Sequence, residues 1–325
     1  MNNKRVRLIL IGAIALVLVG LFAGVQQGVL ACGDKLNIHL VRTIDIIPQG
    51  VTVDISVAID GGGNTYVVDG TAENPRILKY DKHGRFLLEW GSRGSGPGQF
   101  EFWPQNPEDG PNAGFMAVDS QGYVYVSDAY NFRVQKFDSQ GHFIMQFGEP
   151  GTGDGQFDPP TAGPIYVDKQ DHIWVSTLPR VQKFDSQGNF LASYGSAGAG
   201  PGQFMGAGLG AIDSHGNMYI TDLFNARVQK LDANGQFLME WGSPGEGEGQ
   251  FFMPVGIVLD KSDRLYVTDN TNRVQVFTTN GRYLGQWSEP GHGYPPFVPL
   301  AGIAIDRKGD IYVADIAIYV FRIRP

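Results

Sequence analysis

Aspartate and arginine recur as close pairs along this chain, and a carboxylate beside a guanidinium can orient a substrate or move a proton. In each pair the arginine follows the aspartate by four to seven residues. An active site needs such a pair once, whereas four equivalent copies are typical of ion pairs that fix loops. We therefore predict structural pairs between Asp69 and Arg76, Asp128 and Arg133, Asp222 and Arg227, and Asp269 and Arg273.

One equivalent position departs from this pattern. Thr177 stands where the other copies have aspartate, and Leu178-Pro179 shortens the loop before Arg180. Because the usual carboxylate is missing there, we predict that Arg180 contacts an acidic group of a ligand.

Glycine-rich runs have the composition of phosphate-binding loops. One covers residues 91–100, and similar runs begin at Gly148, Gly195 and Gly242. A phosphate-binding loop opens a helix whose backbone amides face the anion. These runs join segments with strand patterns and lack a Lys-Ser/Thr ending, so we interpret them as connectors.

These residues recur because the whole sequence repeats. Segment 117–138 returns closely at 211–232 and 258–277, and successive copies lie 45 to 59 residues apart. Such a period is typical of repeat architectures. An aspartate marks each of the six copies: Asp60, Asp119, Asp168, Asp213, Asp260 and Asp306.

Each copy divides into four short strands. In the second copy they are 115–118, 123–127, 133–137 and 143–147, separated by turns that end in glycine. Alternation of apolar and polar residues with period two is typical of half-buried strands. Four strands in a repeat of this size are typical of a propeller blade. The sequence therefore predicts an all-β fold, with residues 32–325 forming one six-bladed β-propeller.

The last copy ends after its third strand. Residues 38–44 precede the first copy and have a strand pattern. We predict that this N-terminal strand supplies the missing fourth strand and closes the ring, because closure removes two exposed sheet edges.

The repeat resembles the NHL family. The resemblance lies in Asp128-x-x-Asn131-x-Arg133-Val134-Gln135-Lys136-Phe137 and in its copy at 222–231, and it extends over about residues 55–325. It implies a six-bladed propeller with structural Asp–Arg pairs. Proteins of related fold include scaffolds, sensor ectodomains, RNA-binding proteins and a peptide-amidating lyase, so the resemblance implies a fold more than a function.

The histidines are placed poorly for lyase chemistry. The related amidating lyases need several histidines at a metal near the channel. In a four-stranded blade the turns after the first and third strands share one face, here called lower, and the inter-blade connectors lie on the upper face. His83, His142, His172 and His215 fall in lower turns, His292 in a connector and His39 in the N-terminal strand. We predict no histidine–metal site. The many carboxylates leave open the alternative of a calcium or magnesium site in the channel.

One connector is much longer than the others. After Gln99-Phe100, residues 101–113 intervene before the pattern resumes. Insertions in repeat proteins often map to the binding face, and an indole beside amides suits recognition. We predict ligand contacts at Trp103, Gln105, Asn106 and Asn112. The alternative is a solvated loop with Trp103 packed on its neighbour.

The first 31 residues are predicted to be a signal peptide or transmembrane anchor. Three basic residues precede the 18-residue apolar run 8–25, as in both kinds of segment. Val29-Leu30-Ala31-Cys32 resembles a lipobox, which would make Cys32 a lipidation site. Lipid anchoring, an uncleaved anchor and secretion all place the propeller outside the cytoplasm.

The charge of the chain bears on its partners. The formal net charge is −8, and the three basic residues of the N-terminal segment leave −11 on residues 32–325. An acidic body excludes general nucleic-acid binding, which needs excess lysine and arginine.

The sequence thus favours a membrane-anchored, noncatalytic module that binds a protein, peptide or glycan through its upper face. The alternative is a lyase or metal-dependent hydrolase with its site at the channel mouth.

Overall fold

The computed structural model describes residues 36–46, 56–70, 73–103, 114–157, 163–291, 296–298, 300, 302–315 and 317–324. Six four-stranded antiparallel sheets form the body, and the predicted all-β, six-bladed propeller is confirmed. Among these residues no helix has the length and apolar character needed to cross a membrane. Several predictions fall outside the described residues, namely those on segment 1–31, Cys32, Gln105, Asn106, Asn112 and His292.

Each blade has a first strand beside the channel, then a second, a third and an outer strand. In chain order the blades are Val57–Ile59, Thr65–Asp69, Arg76–Tyr80 and Phe86–Trp90 (blade 1); Phe115–Val118, Val124–Asp128, Arg133–Phe137 and Phe143–Phe147 (blade 2); Ile165–Val167, Ile173–Ser176, Val181–Phe184 and Phe190–Tyr194 (blade 3); Ala207–Ile212, Met218–Asp222, Arg227–Leu231 and Phe237–Trp241 (blade 4); Pro254–Leu259, Arg264–Asp269, Arg273–Thr278 and Tyr283–Trp287 (blade 5); and Gly302–Ile305, Ile311–Ala314, Ile318–Arg324 and Asn37–Ile44 (blade 6). Short elements between them are the paired strands Ser196–Ala197 and Gln203–Phe204 and the 3-10 turns Ala129–Asn131 and Leu223–Asn225.

Blade 6 combines the two ends of the described chain. Its outer strand, Asn37–Ile44, lies antiparallel to Ile318–Arg324, with Asn37 opposite Arg324 and Ile44 opposite Ile318. The first strand of every blade contacts the first strands of both neighbours, so the six form a closed circle. Third strands run from the upper to the lower face, and the antiparallel N-terminal strand therefore begins at the lower edge of blade 6.

Aromatic side chains hold neighbouring blades together through a repeated contact with glycine. The turn between the third and outer strands of blade 2 contains Gly141, with a φ of 82°. A Cβ added at Gly141 would lie 2.7 Å from the ring of Trp90, the last residue of blade 1. The same relation holds between Gly188 and Phe147 and between Gly235 and Tyr194. Glycine is thus required there both by the backbone conformation and by the packing.

The lower turns are organised by the aspartate that ends each first strand. Asp119 Oδ1 accepts hydrogen bonds from the backbone N–H groups of Gln121 and Tyr123, at 3.0 and 2.9 Å. Its Oδ2 accepts a hydrogen bond of 3.1 Å from the Tyr125 hydroxyl. Burial, with Asp119 nearby, raises the pKa of Tyr125, so this phenol stays a hydrogen-bond donor. The recurring aspartates therefore shape turns.

Candidate ligand-binding site

The Asp–Arg pairs of blades 2, 4 and 5 join each of these blades to the connector that precedes it. Asp128 Oδ2 lies 2.7 Å from Arg133 Nε, and both side chains are buried. The Arg133 guanidinium also donates hydrogen bonds to the backbone carbonyls of Ser95, Gly96 and Gln99, at 2.8 to 3.0 Å. One buried cation thereby fixes the whole glycine-rich connector between blades 1 and 2.

Asp128 is anchored from three sides. It accepts a 2.7 Å hydrogen bond from the backbone N–H of Glu101 and further bonds from Asn131 and Gln135. Burial raises the pKa of Asp128, while the hydrogen bonds from Glu101 and Asn131 and the nearby Arg133 oppose the rise. The corresponding ion-pair distances are 3.0 Å for Asp69–Arg76, 2.9 Å for Asp222–Arg227 and 3.2 Å for Asp269–Arg273.

Arg180 is directed at its own connector although blade 3 lacks the aspartate. Its Nη2 donates hydrogen bonds to the backbone carbonyls of Gly153 and Gln156, at 2.8 and 3.3 Å. Gln182 donates to the same Gln156 carbonyl at 2.6 Å. The half-buried guanidinium thus occupies the place that Arg133 has in blade 2, and the ligand contact predicted for Arg180 would compete with these bonds.

Trp103, the predicted anchor residue of the long connector, lies against the ring. Its Nε1 donates a hydrogen bond to the Gly70 carbonyl of blade 1. Its indole packs on the apolar cluster between blades 1 and 2, which includes Phe100 and Phe102. Trp103 is half-buried, so this arrangement matches the packed alternative while leaving part of the indole accessible.

The upper face has an apolar surface that the sequence analysis did not identify. Met205 and Phe252 directly follow the buried residues Phe204 and Phe251 in their connectors, and they are 42% and 44% exposed. Leu178, in the shortened loop of blade 3, is 37% exposed. Three large apolar side chains on successive blades are unusual, since exposed apolar residues normally occur singly.

Backbone contacts connect Leu178 and the connector of Met205 to the upper loop of blade 4, and Phe252 has the position of Met205 in the next connector. The backbone N–H of Ala207 donates to the Leu178 carbonyl at 3.1 Å, and that of Leu223 donates to the Gly206 carbonyl at 2.8 Å. A Cβ at Gly206 would lie 2.8 Å from the Phe224 ring. We call the resulting surface the apolar rim; it consists of Leu178, Met205, Leu223, Phe224 and Phe252.

The apolar rim occupies one side of the upper face. In the connector between blades 1 and 2, the residue after the Gln-Phe pair is Glu101, whose carboxylate lies 3.1 Å from Arg93 Nε. Met205 and Phe252 take that place in their connectors. A comparison of the residues that follow Gln-Phe in each repeat would have revealed the apolar rim from sequence.

The described histidines remain apart. His142 Nδ1 lies 2.8 Å from Asp138 Oδ2, and His172 Nδ1 lies 3.0 Å from Asp168 Oδ2. Each of these imidazoles therefore pairs with the aspartate of its own lower turn. Within the described ranges, no three His, Cys, Asp or Glu side chains are grouped as a metal ion would require.

Comparison with known proteins supports the architecture. A family model described as a 6-bladed beta-propeller matches residues 250–321. Peptidyl-glycine alpha-amidating monooxygenase A of Xenopus laevis is 35% identical over 96 residues, which are 28% of this chain and 9% of that protein. Peptidyl-alpha-hydroxyglycine alpha-amidating lyase 1 of Drosophila melanogaster is 35% identical over 103 residues, 31% of this chain and 19% of that protein. The chain thus spans about a tenth to a fifth of the length of these curated relatives.

A solved structure matches over nearly the whole body. A gluconolactonase of Xanthomonas campestris superposes with a TM-score of 0.60, covering 92% of this chain and 99% of that chain at 12% identity. At this identity the likeness shows the shared propeller fold alone. The class defined by sequence, fold and comparisons is therefore the six-bladed β-propeller.

Proposed function

We propose that this protein is a noncatalytic binding module that takes a peptide or protein segment on the apolar rim. The supporting observation is the exposure of Leu178, Met205 and Phe252 on successive blades of the upper face. Removing apolar surface from water is favourable by about 25 cal/mol per Å², which opposes the entropic cost of association. Exposed apolar side chains that follow one another around one face are a mark of interaction sites, and they suit amino-acid side chains better than the hydroxyl-rich surface of a glycan.

The long connector extends the proposed site. Trp103 presents part of its indole on the same upper face, and Gln105, Asn106 and Asn112 follow it in sequence. In this proposal the apolar rim supplies most of the binding free energy, and the amides of the connector add specificity. The NHL-like repeat provides the rigid framework beneath both.

We further propose that the propeller is held at the outer surface of a membrane. The support is the basic start, the 18-residue apolar run and Cys32 in the first 32 residues. The two named amidating enzymes act, by their names, on peptidyl substrates, which agrees with a peptide ligand here. The same similarity is the observation that favours an alternative, a lyase or metal-dependent hydrolase at the channel mouth.

Selection of peptides by the full-length protein tests the proposal. The protein, held in neutral detergent, is panned against a displayed random-peptide library, and the Kd of each enriched peptide is measured by fluorescence polarisation. We expect apolar residues to be enriched. The double variant Met205→Gln/Phe252→Ser should then weaken binding by about tenfold or more, since such anchors dominate interfaces. A protein trimmed of residues 104–113 should lose a smaller factor.

The control is Leu238→Ser. Leu238 is 49% exposed on the outer strand of blade 4, away from the upper face, so its change should leave the Kd unaltered. Equal weakening by Leu238→Ser, or loss of binding on changing His142 or His215 of the lower turns, would reject the apolar rim. Stoichiometric metal together with turnover of a peptidyl-α-hydroxyglycine would favour the enzyme.

A further inference from the structure

In blades 1 to 4 a lysine of the third strand lies over an aromatic ring of the second strand, and in blades 1, 2 and 4 it also reaches a lower turn of the next blade across the boundary between the two blades, here called the seam. Lys79 Nζ lies 5.1 Å from the centre of the Tyr66 ring and donates a 2.7 Å hydrogen bond to the Ser139 carbonyl of the next blade. Lys136 Nζ likewise lies over the Tyr125 ring and donates a hydrogen bond to the Ser186 carbonyl of the next blade. The equivalent cations of blades 3 and 4 are Lys183 over Trp174 and Lys230 over Tyr219.

The seam between blades 6 and 1 is built differently. Val320 takes the place of the lysine, and Arg42 of the N-terminal strand lies over Tyr312 instead, with Cζ 5.5 Å from the ring centre. Arg42 Nη2 donates a 2.8 Å hydrogen bond to the Tyr312 hydroxyl. Arg42 Nε is buried and has no hydrogen-bond partner in the described structure. A buried donor without a partner costs stability unless a ligand satisfies it.

A cavity of about 270 Å³ opens on the lower face at this seam. Four permanent cations line it, together with His83. None of the four forms an ion pair with a carboxylate of the described residues, although the body as a whole is acidic. These cations are Arg42, Lys82, Arg307 and Lys308.

The three carboxylates that also line the cavity are engaged by their own blades. Asp60 accepts hydrogen bonds from Gly62, Asn64 and Tyr66. Arg322 binds both oxygens of Asp310, at 2.6 Å each. Asp306 Oδ1 accepts the backbone N–H groups of Lys308 and Asp310. The cavity therefore offers more uncommitted donors than acceptors, which suits an anion.

Glycines form one wall of the cavity. Blade 1 has Gly61, Gly62 and Gly63 in its first lower turn, and the other blades carry side chains at the positions of Gly61 and Gly62. A Cβ at Gly61 would lie 2.8 Å from Arg307 Cζ, so the guanidinium rests directly on this backbone. From there Arg307 Nη2 reaches the Ser120 carbonyl at 3.4 Å, a weak bond that a better acceptor would replace.

We propose that this cavity, the seam site, binds a phosphate group. Arginine and lysine donors around a small opening match the several acceptor oxygens and double charge of a phosphate monoester. The group can belong to a soluble phosphate or to a lipid headgroup. The N-terminal strand enters at the lower edge of the same blade, so a chain anchored by its first residues would hold the seam site near the bilayer. The inference is independent of the apolar rim, which lies on the opposite face.

Titration of the full-length protein in neutral detergent micelles tests the seam site. One arm adds inorganic phosphate, and the other compares micelles containing phosphatidic acid, whose headgroup is a phosphate monoester, with micelles containing phosphatidylcholine, a phosphodiester; binding is followed by calorimetry. We expect saturable binding of phosphate or of the anionic lipid, whichever is the source. The double variant Lys82→Gln/Arg307→Gln should weaken that binding by about tenfold or more.

The matched control is Lys169→Gln. Lys169 occupies in blade 3 the turn position that Arg307 has in blade 6, is exposed, and lies outside the cavity. It should leave binding unchanged. As a second probe, Gly61→Ala should also weaken binding, because the added Cβ displaces the Arg307 guanidinium. Absence of binding in both arms, or equal loss in Lys169→Gln, overturns the proposal.

Discussion

Ile44, from the N-terminal strand, packs against Gly84 in the lower turn of blade 1, where a Cβ on the glycine would lie 3.2 Å from Ile44 Cγ1. Trp90 has the same relation to Gly141 one blade further on. The N-terminal strand therefore reproduces the contact by which the outer strands of blades 1 to 4 are joined to the next blade. Ile44 is 1% exposed and belongs to the core cluster shared by blades 6 and 1.

Truncating the Ile44 side chain should destabilise the propeller. We expect Ile44→Ala to lower the free energy of unfolding by about 2–4 kcal/mol, because it leaves a cavity in this cluster. Val41→Ala on the same strand is the control: Val41 is 42% exposed, and its change should stay within about 0.5 kcal/mol. Denaturant unfolding of both variants measures the difference, and equal effects would contradict a closing role for the strand.

Deletion of residues 33–45 is the stronger test of closure. It removes the partner of Ile318–Arg324 and exposes a sheet edge and the apolar face of blade 6. We expect aggregation or a markedly lower Tm. An unchanged Tm would show that the ring does not depend on this strand.

The sequence predicted the framework because the framework repeats. Asp128 and Arg133 could be recognised as structural from their copies alone, since the same pair recurs on four blades. The strand from Asn37 to Ile44 was predicted as 38–44 from the incomplete last repeat. Such inferences need only the pattern, because sheet register follows from period-two alternation.

The site could not be predicted in the same way, since it depends on which side chains the loops expose. The place of Met205 and Phe252 after Gln-Phe can be read from the repeat, but their exposure beside the buried Phe204 and Phe251 is seen only in the structure. Arg42 and Tyr312 are 270 residues apart, and no local pattern relates them. Arg180 was predicted to face a ligand because its partner aspartate is missing. In the structure its guanidinium donates to a backbone carbonyl of the connector, a contact that the sequence alone does not reveal.

The lower turns should make the folded protein less stable in acid. Hydrogen bonds from the backbone and side chain of Arg85 and from His83 lower the pKa of Asp81 to about 2. In an unfolded chain the pKa of an aspartate is about 3.9. The contribution of Asp81 is therefore present above about pH 4 and is lost as the pH falls towards 2. Asp81→Asn should flatten the fall of Tm over this range, whereas Asp154→Asn, an exposed surface change, should not.

The N-terminal segment should carry the protein to a membrane. We expect the wild-type chain in the membrane fraction, and Cys32→Ala tests how it is held. Release of this variant, with a mass shift in the wild type, would indicate a lipid anchor. Retention of both at the unprocessed mass would indicate the apolar run 8–25, and a wild type found wholly soluble outside the cell would exclude both anchors.

The repeated ion pairs should serve stability and leave binding intact. Asp128 is fully buried and accepts bonds from Arg133, Asn131 and the backbone of Glu101, so Asp128→Ala leaves a buried guanidinium without its carboxylate. We expect a loss of about 1–3 kcal/mol in the free energy of unfolding, and a similar loss for Asp222→Ala. Asp154→Ala, on an exposed part of a connector, serves as the control and should change stability little. Unfolding in urea and the Kd for a selected peptide are measured on the same preparations. If Asp128→Ala abolished peptide binding while stability stayed at the wild-type value, the pair would have to be assigned to a site.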